Sequence, residues 1–184
     1  RARIDRGHLD RVVISHDICY RTRLASFGGD GDGHIFRNVV PMMAERGYSA
    51  WQKLRAFSQA QVDAVCQAMA DAAYAAAERL GRLAAEETGY GRAADKTVKN
   101  QFAARMVWDS IRDVKTVGIL RRDDRRRVVE VAWPMGVVAA LTPSTNPTST
   151  VIYKALIALK ARNAVVFAPH PSATRCSLET ARIL

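Results

Sequence analysis

Apolar side chains recur at three- and four-residue steps between Ser58 and Leu83, which is the spacing of one face of an α-helix. Ser58 is a suitable N-cap, and Gly89 and Gly91 predict where the helix ends. The apolar positions are Val62, Val65, Met69, Ala73, Ala76, Leu80 and Leu83. A second helix is predicted from about Ala93. Its apolar positions, which we expect in the core, are Val98, Phe102, Met106 and Ile111.

Short strand-like runs follow these helices. Residues 127–133 (RVVEVAW) predict one strand, bounded by a charged turn and Pro134. Residues 136–141 (GVVAAL) are uniformly apolar, which predicts a strand buried on both faces. Residues 164–168 (AVVFA) predict another buried strand.

Between the last two strands, residues 151–159 carry a helical apolar stripe, and Asn163 is a suitable end for that helix. Strand, loop, helix and strand form a βαβ unit, whose strands are parallel. The loops at 142–147 (TPSTNP) and 169–172 (PHPS) should therefore leave the same edge of the sheet, and Ser172 could cap a final helix. Ligands bind at such edges, where helix N-termini present free N–H groups to anions. We therefore expect both loops beside a phosphate-bearing ligand.

The first 41 residues have little periodicity and contain the glycine run GGDGDG at 28–33. The run lacks the glutamate at the twelfth position of a calcium loop and the flanking strand and helix of a dinucleotide fingerprint. We interpret residues 1–41 as a flexible or non-native extension and residues 42–184 as one partial domain. A single βαβ unit leaves sheet edges uncovered, so we expect a truncated chain.

The net charge of +10 raises the question of nucleic-acid binding. Basic residues are spread along the chain, and the densest cluster, residues 121–127 (RRDDRRR), contains two Asp and no aromatic residue. This favours a solvated turn or arm over a nucleic-acid surface. No apolar run is long enough for a membrane helix, and no secretory signal is present, so a cytoplasmic protein is expected.

Three cysteines, Cys19, Cys66 and Cys176, lie far apart without a CxxC pair, which argues against structural zinc. His16 lies three residues before Cys19, but two ligands do not form a metal site. We expect reduced thiols and no metal.

Asn146, between Pro143 and Pro147, is the candidate for chemistry. A neutral amide donor held beside a strand end is suited to stabilising a developing oxyanion. The alternative is a turn-forming Asn that caps the following helix.

Residues 134–173 (PMGVVAALTPSTNPTSTVIYKALIALKARNAVVFAPHPSA) resemble the aldehyde dehydrogenase superfamily, and within it the CoA-acylating branch, which includes the dehydrogenase half of bifunctional aldehyde-alcohol dehydrogenases. Residues 86–104 (EETGYGRAADKTVKNQFAA) resemble the same branch, and the resemblance covers about residues 54–184. It implies an α/β fold of the aldehyde dehydrogenase type, with N-terminal helices followed by an incomplete Rossmann-type parallel sheet.

The resemblance also implies an NAD site. The loop residues Thr142, Pro143, Ser144 and Thr145 would line the nicotinamide side, and Asn146 matches the family's oxyanion-hole Asn. His170 and Pro171, with Pro169, match the segment beside the adenosine part; His170 is expected to shape this loop rather than to transfer protons. Ala168 occupies the position of a Lys in hydrolytic members, which favours the acylating branch.

The family mechanism is covalent: a Cys thiolate attacks the aldehyde, hydride passes to NAD, and the thioester passes to CoA. Cys66 and Cys176 do not match that Cys, so the chain alone is expected to be inactive. The full-length enzyme is expected to act on a small aldehyde and CoA as a homo-oligomer, without nucleic acid or membrane. The alternatives are a hydrolytic NAD(P)-dependent aldehyde dehydrogenase and a non-catalytic nucleotide-binding or interaction module.

Overall fold

The computed structural model describes residues 40–184 of the protein. Our interpretation of the first 41 residues therefore lies outside the described residues, apart from Val40 and Pro41, which begin the first helix. The helices are α1 (Val40–Leu54), α2 (Gln59–Ala75), α3 (Ala77–Thr88), α4 (Ala93–Gln101), a π-helical turn (Phe102–Met106), α5 (Val107–Ile111), α6 (Pro147–Lys160), a 3-10 turn (Pro171–Ala173) and α7 (Thr174–Ile183). The strands are β1 (Gly118–Asp123), β2 (Val128–Ala132), β3 (Val137–Thr142) and β4 (Ala164–Pro169).

Helix α2 begins where the sequence predicts. The Ser58 hydroxyl accepts a hydrogen bond from Gln61 N at 3.3 Å, and the Gln61 side chain accepts one from Ser58 N at 2.9 Å. This reciprocal capping box satisfies two backbone donors. The single predicted helix is in fact two, because the backbone turns at Ala76, and α3 ends at Gly89 in the left-handed conformation (φ 68°).

The apolar stripe of α4 and the π-helical turn does not lie in the core. Val98, Phe102 and Met106 are 63%, 60% and 56% exposed, so the prediction was wrong for these three, whereas Ile111 packs against the core. The buried side chains of this segment are instead Lys96, Asn100, Ala103, Ala104 and Trp108. Small alanines let the segment approach α2 and α6 closely. The two buried polar side chains have hydrogen-bond partners in α3, in the loop before α6 and in the first turn of α6.

Strands β1 and β2 form an antiparallel hairpin, with Ile119 opposite Val131 and Arg122 opposite Val129. Strand β1 was not predicted, because half of its residues are Arg or Asp. The turn at 124–127 joins the two strands, and most of the hairpin is exposed, in agreement with a solvated arm.

Strands β3 and β4 are parallel, in register from Val137 opposite Ala164 to Thr142 opposite Pro169. Helix α6 crosses between them, so the βαβ prediction is confirmed. However, β3 is not buried on both faces, because Leu141 is 73% exposed. Helix α1 approaches the two strands at Gly47, which lies close to the Val137 side chain. Within the described residues, the side chain of Leu141, near the carboxyl end of β3, is left uncovered.

Two helix ends differ from the predictions. At the end of α6, Arg162 rather than Asn163 takes the left-handed conformation (φ 59°), and the Asn163 side chain accepts a hydrogen bond from Gly136 N at 3.0 Å. Ser172 does not cap α7. The backbone N–H groups at the start of α7 instead donate to the Glu87 carboxylate, which belongs to α3.

The main core lies between α2, α6, the π-helical turn and the parallel strands, with Leu80, Ile152, Leu156, Trp108 and Phe167 among its buried residues. No helix in the part of the chain from residue 40 onward combines the length and apolar character needed to cross a membrane.

Candidate functional site at the carboxyl edge of the parallel strands

The loops that follow β3 and β4 lie side by side. Thr142 and Pro169, the last residues of the two strands, are register partners. One residue further, His170 N donates a hydrogen bond to Thr142 O at 2.8 Å. The predicted common edge of the two loops is therefore present.

Helix α4 holds the first of these loops. Lys96 Nζ donates to Thr145 O at 2.8 Å, and Lys99 Nζ donates to Asn146 Oδ1 at 2.9 Å. Lys96 is buried, and burial lowers its pKa from the usual 10.5, with the neighbouring Lys99 charge acting in the same direction. Two ammonium groups thus bind consecutive residues of the loop.

Asn100, one residue after Lys99 and fully buried, anchors the same loop. Its Oδ1 accepts a hydrogen bond from Thr148 Oγ1 at 2.7 Å, and its Nδ2 donates to Ala77 O at 3.0 Å. This side chain connects the first turn of α6 to the start of α3. Because the network is buried and satisfied, it holds the start of α6 in one position.

Asn146 occupies the N-cap position of α6, but its side chain makes no capping hydrogen bond. Its Oδ1 faces Lys99, and its Nδ2 lies 3.5 Å from Thr145 Oγ1, at the limit of a hydrogen bond. The residue is partly exposed rather than packed in the interior. The capping interpretation is therefore wrong for this side chain, and its amide N–H groups are weakly engaged among the described residues.

Thr142 is almost completely buried at the end of β3, and within residues 40–184 its Oγ1 has no hydrogen-bond partner. An unpaired buried hydroxyl is costly, so a polar atom is expected beside it. Next to it, Pro143 and Thr145 are exposed and Ser144 is partly exposed. The loop thus offers surface for a ligand at its tip and a buried polar atom at its base.

The second loop is ordered by His170. Its Nδ1 accepts a hydrogen bond from Ser172 N at 3.2 Å and lies 2.8 Å from Ser172 Oγ. Pro171 then begins the 3-10 turn. These contacts agree with the expectation that the imidazole shapes the loop.

The N-terminus of α7 is not available to an anion. The Glu87 carboxylate, from α3, accepts hydrogen bonds from Arg175 N at 2.7 Å and Cys176 N at 2.6 Å. The expectation that both helices present free N–H groups is therefore wrong for α7, because a side chain distant in sequence already binds them.

Neither described cysteine is suited to nucleophilic catalysis. Burial raises the pKa of the Cys66 thiol to about 12, and burial followed by the hydrogen bond and charge of Glu87 raises that of Cys176 to about 12. A thiol at such a pKa is protonated at neutral pH and is a poor nucleophile. Both are buried, as the sequence indicated, and Cys19 lies outside the described residues.

Sequence reasoning missed the polar residues that support the site: Glu87, Lys96, Lys99, Asn100 and Thr148. A signal was available for three of them, because positions 96, 99 and 100 have the i, i+3, i+4 spacing of one helix face. Their partners in the loop, about fifty residues away, could not be read from that spacing.

Comparison with known proteins gives similarities to two different families over different parts of the chain. A model of the Phosphotriesterase family matches residues 1–85, which is less than half of the 184-residue chain. That match ends before α4 and includes none of the residues of the two loops.

The curated relatives are aldehyde dehydrogenases. The chain is 40% identical over 149 residues to the Bifunctional aldehyde-alcohol dehydrogenase AdhE of Escherichia coli K12, covering 80% of this chain and 17% of that protein. It is 41% identical over 145 residues to the Succinate-semialdehyde dehydrogenase (acetylating) of Clostridium kluyveri, covering 79% of this chain and 32% of that protein.

Among solved structures, an Acetylating Aldehyde Dehydrogenase from Geobacillus thermoglucosidasius superposes with a TM-score of 0.77 at 55% identity, covering 79% of this chain and 32% of that chain. The protein thus spans about a third or less of the length of these relatives. The sequence identity to these relatives and the superposition on the solved structure agree with the resemblance found in residues 134–173. Over the aligned residues, the chain is a homologue of acetylating aldehyde dehydrogenases and has their fold, as its resemblance to the CoA-acylating branch predicted.

Proposed function

We propose that residues 42–184 form part of the NAD-binding domain of an enzyme that oxidises an aldehyde with NAD and releases acyl-CoA. The observation that carries this proposal is the common edge of the two loops, where His170 N donates a hydrogen bond to Thr142 O, with the partly exposed Asn146 beside it. A hydrolytic aldehyde dehydrogenase is the alternative. Ala168 in β4, and the acetylating relatives, favour the acylating reaction.

In this proposal, Asn146 stabilises negative charge on the substrate oxygen. When a thiolate adds to the aldehyde carbon, the carbonyl π electrons move to oxygen, and a neutral amide donor already in place stabilises that oxyanion. Asn146 Oδ1 is engaged by Lys99, so Nδ2 is the atom that can donate. Cys66 and Cys176 are buried and protonated, so no cysteine among the described residues supplies the thiolate, and we expect the chain alone to be inactive.

Thr142, Pro143, Ser144 and Thr145 would hold the nicotinamide side of the cofactor, and His170 and Pro171 the adenosine side. The buried, unpaired hydroxyl of Thr142 fits a polar ligand at this edge. Bound NAD would supply a hydride acceptor. The chain's own residues would position the aldehyde oxygen, and the rigid loop between Pro143 and Pro147 would limit its movement.

The decisive experiment substitutes Asn146→Ala in a complete aldehyde dehydrogenase that contains residues 42–184 of this chain. Loss of one oxyanion donor lowers kcat by roughly 10²–10³, while the Kd for NAD should stay within about twofold. Unchanged turnover, or absence of CoA-dependent aldehyde oxidation by the complete protein, contradicts the proposal. Asn163→Ala is the matched control, because that amide binds only Gly136 N in the described residues and lies away from the loops. Release of free acid instead of acyl-CoA identifies the hydrolytic alternative.

We further propose that residues 1–41, apart from Val40 and Pro41 at the start of α1, do not belong to this NAD-binding domain. The aldehyde dehydrogenase alignments leave about a fifth of the chain uncovered, and a different family model matches residues 1–85. Intact-mass measurement of the protein from its native source tests whether this segment is present; a mass that includes residues 1–41 argues against a non-native extension.

We also propose that the complete enzyme is a homo-oligomer in the cytoplasm. The support is the exposed apolar surface of the hairpin and the segment after it, which includes Val131, Trp133 and Met135. Light scattering of the complete enzyme tests this, and a monomer at micromolar concentration contradicts it.

A further inference from the structure

The loop around Asn146 is fixed on both sides of that residue, but by different groups. On the N-terminal side, buried Lys96 binds Thr145 O; on the C-terminal side, buried Asn100 binds the Thr148 hydroxyl. These contacts position the backbone that carries Asn146. They do not determine which end of the side-chain amide points outward.

An asparagine side chain has two ends of almost equal size, and only one of them can donate. If the amide rotates by half a turn, Oδ1 takes the place of Nδ2, and a substrate oxyanion meets an acceptor instead of a donor. The rotation changes the shape of the site very little, so packing alone selects weakly between the two orientations. A hydrogen-bonding partner is needed to select one.

Lys99 provides that selection. Its ammonium group has three donors and no acceptor, so the Asn146 atom that it contacts at 2.9 Å must be the oxygen. The Nδ2 group is then left with the 3.5 Å contact to Thr145 Oγ1, which is too long to hold it firmly. Lys99 itself is exposed, and its hydrogen bond to Asn146 lies at the surface, so we expect substitutions of Lys99 to have little effect on the stability of the fold.

We propose that Lys99 is a positioning residue that fixes the amide of Asn146 with its N–H groups free for the substrate oxygen. This proposal rests on the function proposed for Asn146. Lys99 acts only through Asn146 and is not itself placed against the substrate.

The test uses three substitutions of Lys99 in the complete enzyme. Lys99→Arg keeps a donor and should keep kcat within about threefold of the unsubstituted enzyme. Lys99→Met has similar length but no donor, so both amide orientations become populated, and kcat should fall several-fold. Lys99→Glu presents an acceptor, which favours the inverted amide, and should lower kcat by about tenfold or more, bounded by the loss seen in Asn146→Ala. The KM for NAD should change less than kcat in each case.

A double substitution separates positioning from a general electrostatic or structural effect. If Lys99 acts through Asn146, Lys99→Glu has no further effect on kcat in an Asn146→Ala background. An equal loss of kcat in both backgrounds overturns the proposal, and so does a Lys99→Glu enzyme with normal kcat while Asn146→Ala is impaired. If Asn146→Ala itself has normal turnover, the proposed function fails and this inference fails with it. Thermal unfolding within about 2 °C of the unsubstituted enzyme confirms that the variants are folded.

Discussion

A surface helix usually exposes its polar face and buries its apolar face, but α4 and the π-helical turn after it do the reverse. The outward face carries Val98, Phe102 and Met106, which are all more than half exposed, whereas the inward face buries Lys96 and Asn100. Burial of a polar group costs free energy unless it is hydrogen-bonded. Here the inward polar groups bind the loop that carries Asn146, so the burial of this face serves the site.

This comparison shows what an apolar pattern can and cannot indicate. A stripe of large apolar residues predicts a core only if no other face of the helix has better partners. The inward face has small Ala103 and Ala104 for close packing and two polar residues with specific acceptors. Substitutions on the two faces should therefore have very different effects on the free energy of unfolding.

The largest effect is expected on the inward face at Asn100. Asn100→Leu removes the partner that the Thr148 hydroxyl and the Ala77 carbonyl have in Asn100, so we expect a loss of about 2–6 kcal/mol in the free energy of unfolding, from two buried groups at roughly 1–3 kcal/mol each. Urea denaturation measures it. A loss below about 0.5 kcal/mol would mean that the inward face contributes no more to stability than the outward face.

Close packing predicts the next effect. Ala104 is fully buried, and Ala104→Leu adds atoms to a filled space, which should cost about 1–3 kcal/mol. Urea denaturation again measures the change. A neutral result would show unfilled space between this segment and the core.

The pH dependence of the free energy of unfolding tests whether the Lys96 charge is buried. Because burial lowers its pKa in the folded state, the unfolded chain binds more protons between that lowered value and 10.5. The cost of burying the charged form is therefore fully present below the lowered pKa and is relieved as pH rises from that pKa toward 10.5. Relative to Lys96→Met, the unsubstituted chain should gain stability over that interval. A constant difference across the interval argues against burial of this charge.

The smallest effect is expected on the outward face. Phe102→Ser should change the free energy of unfolding of this chain by no more than about 0.5 kcal/mol, because the ring is already mostly exposed. It is the matched control for Ala104→Leu, two residues away. A loss above 1 kcal/mol would show that the stripe is buried in solution.

Local signals in the sequence predicted several elements well. Ser58 caps α2, Gly89 ends α3, and the βαβ unit brings Thr142 and His170 together. These features depend on residues close in sequence or on the fixed handedness of parallel connections. The family resemblance in residues 134–173 is likewise a property of contiguous residues.

Other features could not be predicted from local patterns. The charged residues of β1 do not give the apolar pattern of a strand, and this strand is stabilised by pairing with β2. Glu87, in α3, binds the N-terminus of α7 at Arg175, 88 residues further along the chain. A carboxylate in one helix gives no local sign of which helix N-terminus it will bind.

The sequence by itself determined the N-cap of α2, the parallel βαβ unit and the family resemblance, because caps, chain connections and motifs act over short stretches of chain. Only the tertiary structure decided which face of α4 is buried and which end of the Asn146 amide remains free. Both depend on hydrogen bonds between residues about fifty positions apart. Such partners are chosen when the helix and the loop pack together, since each buried polar group must then find its match.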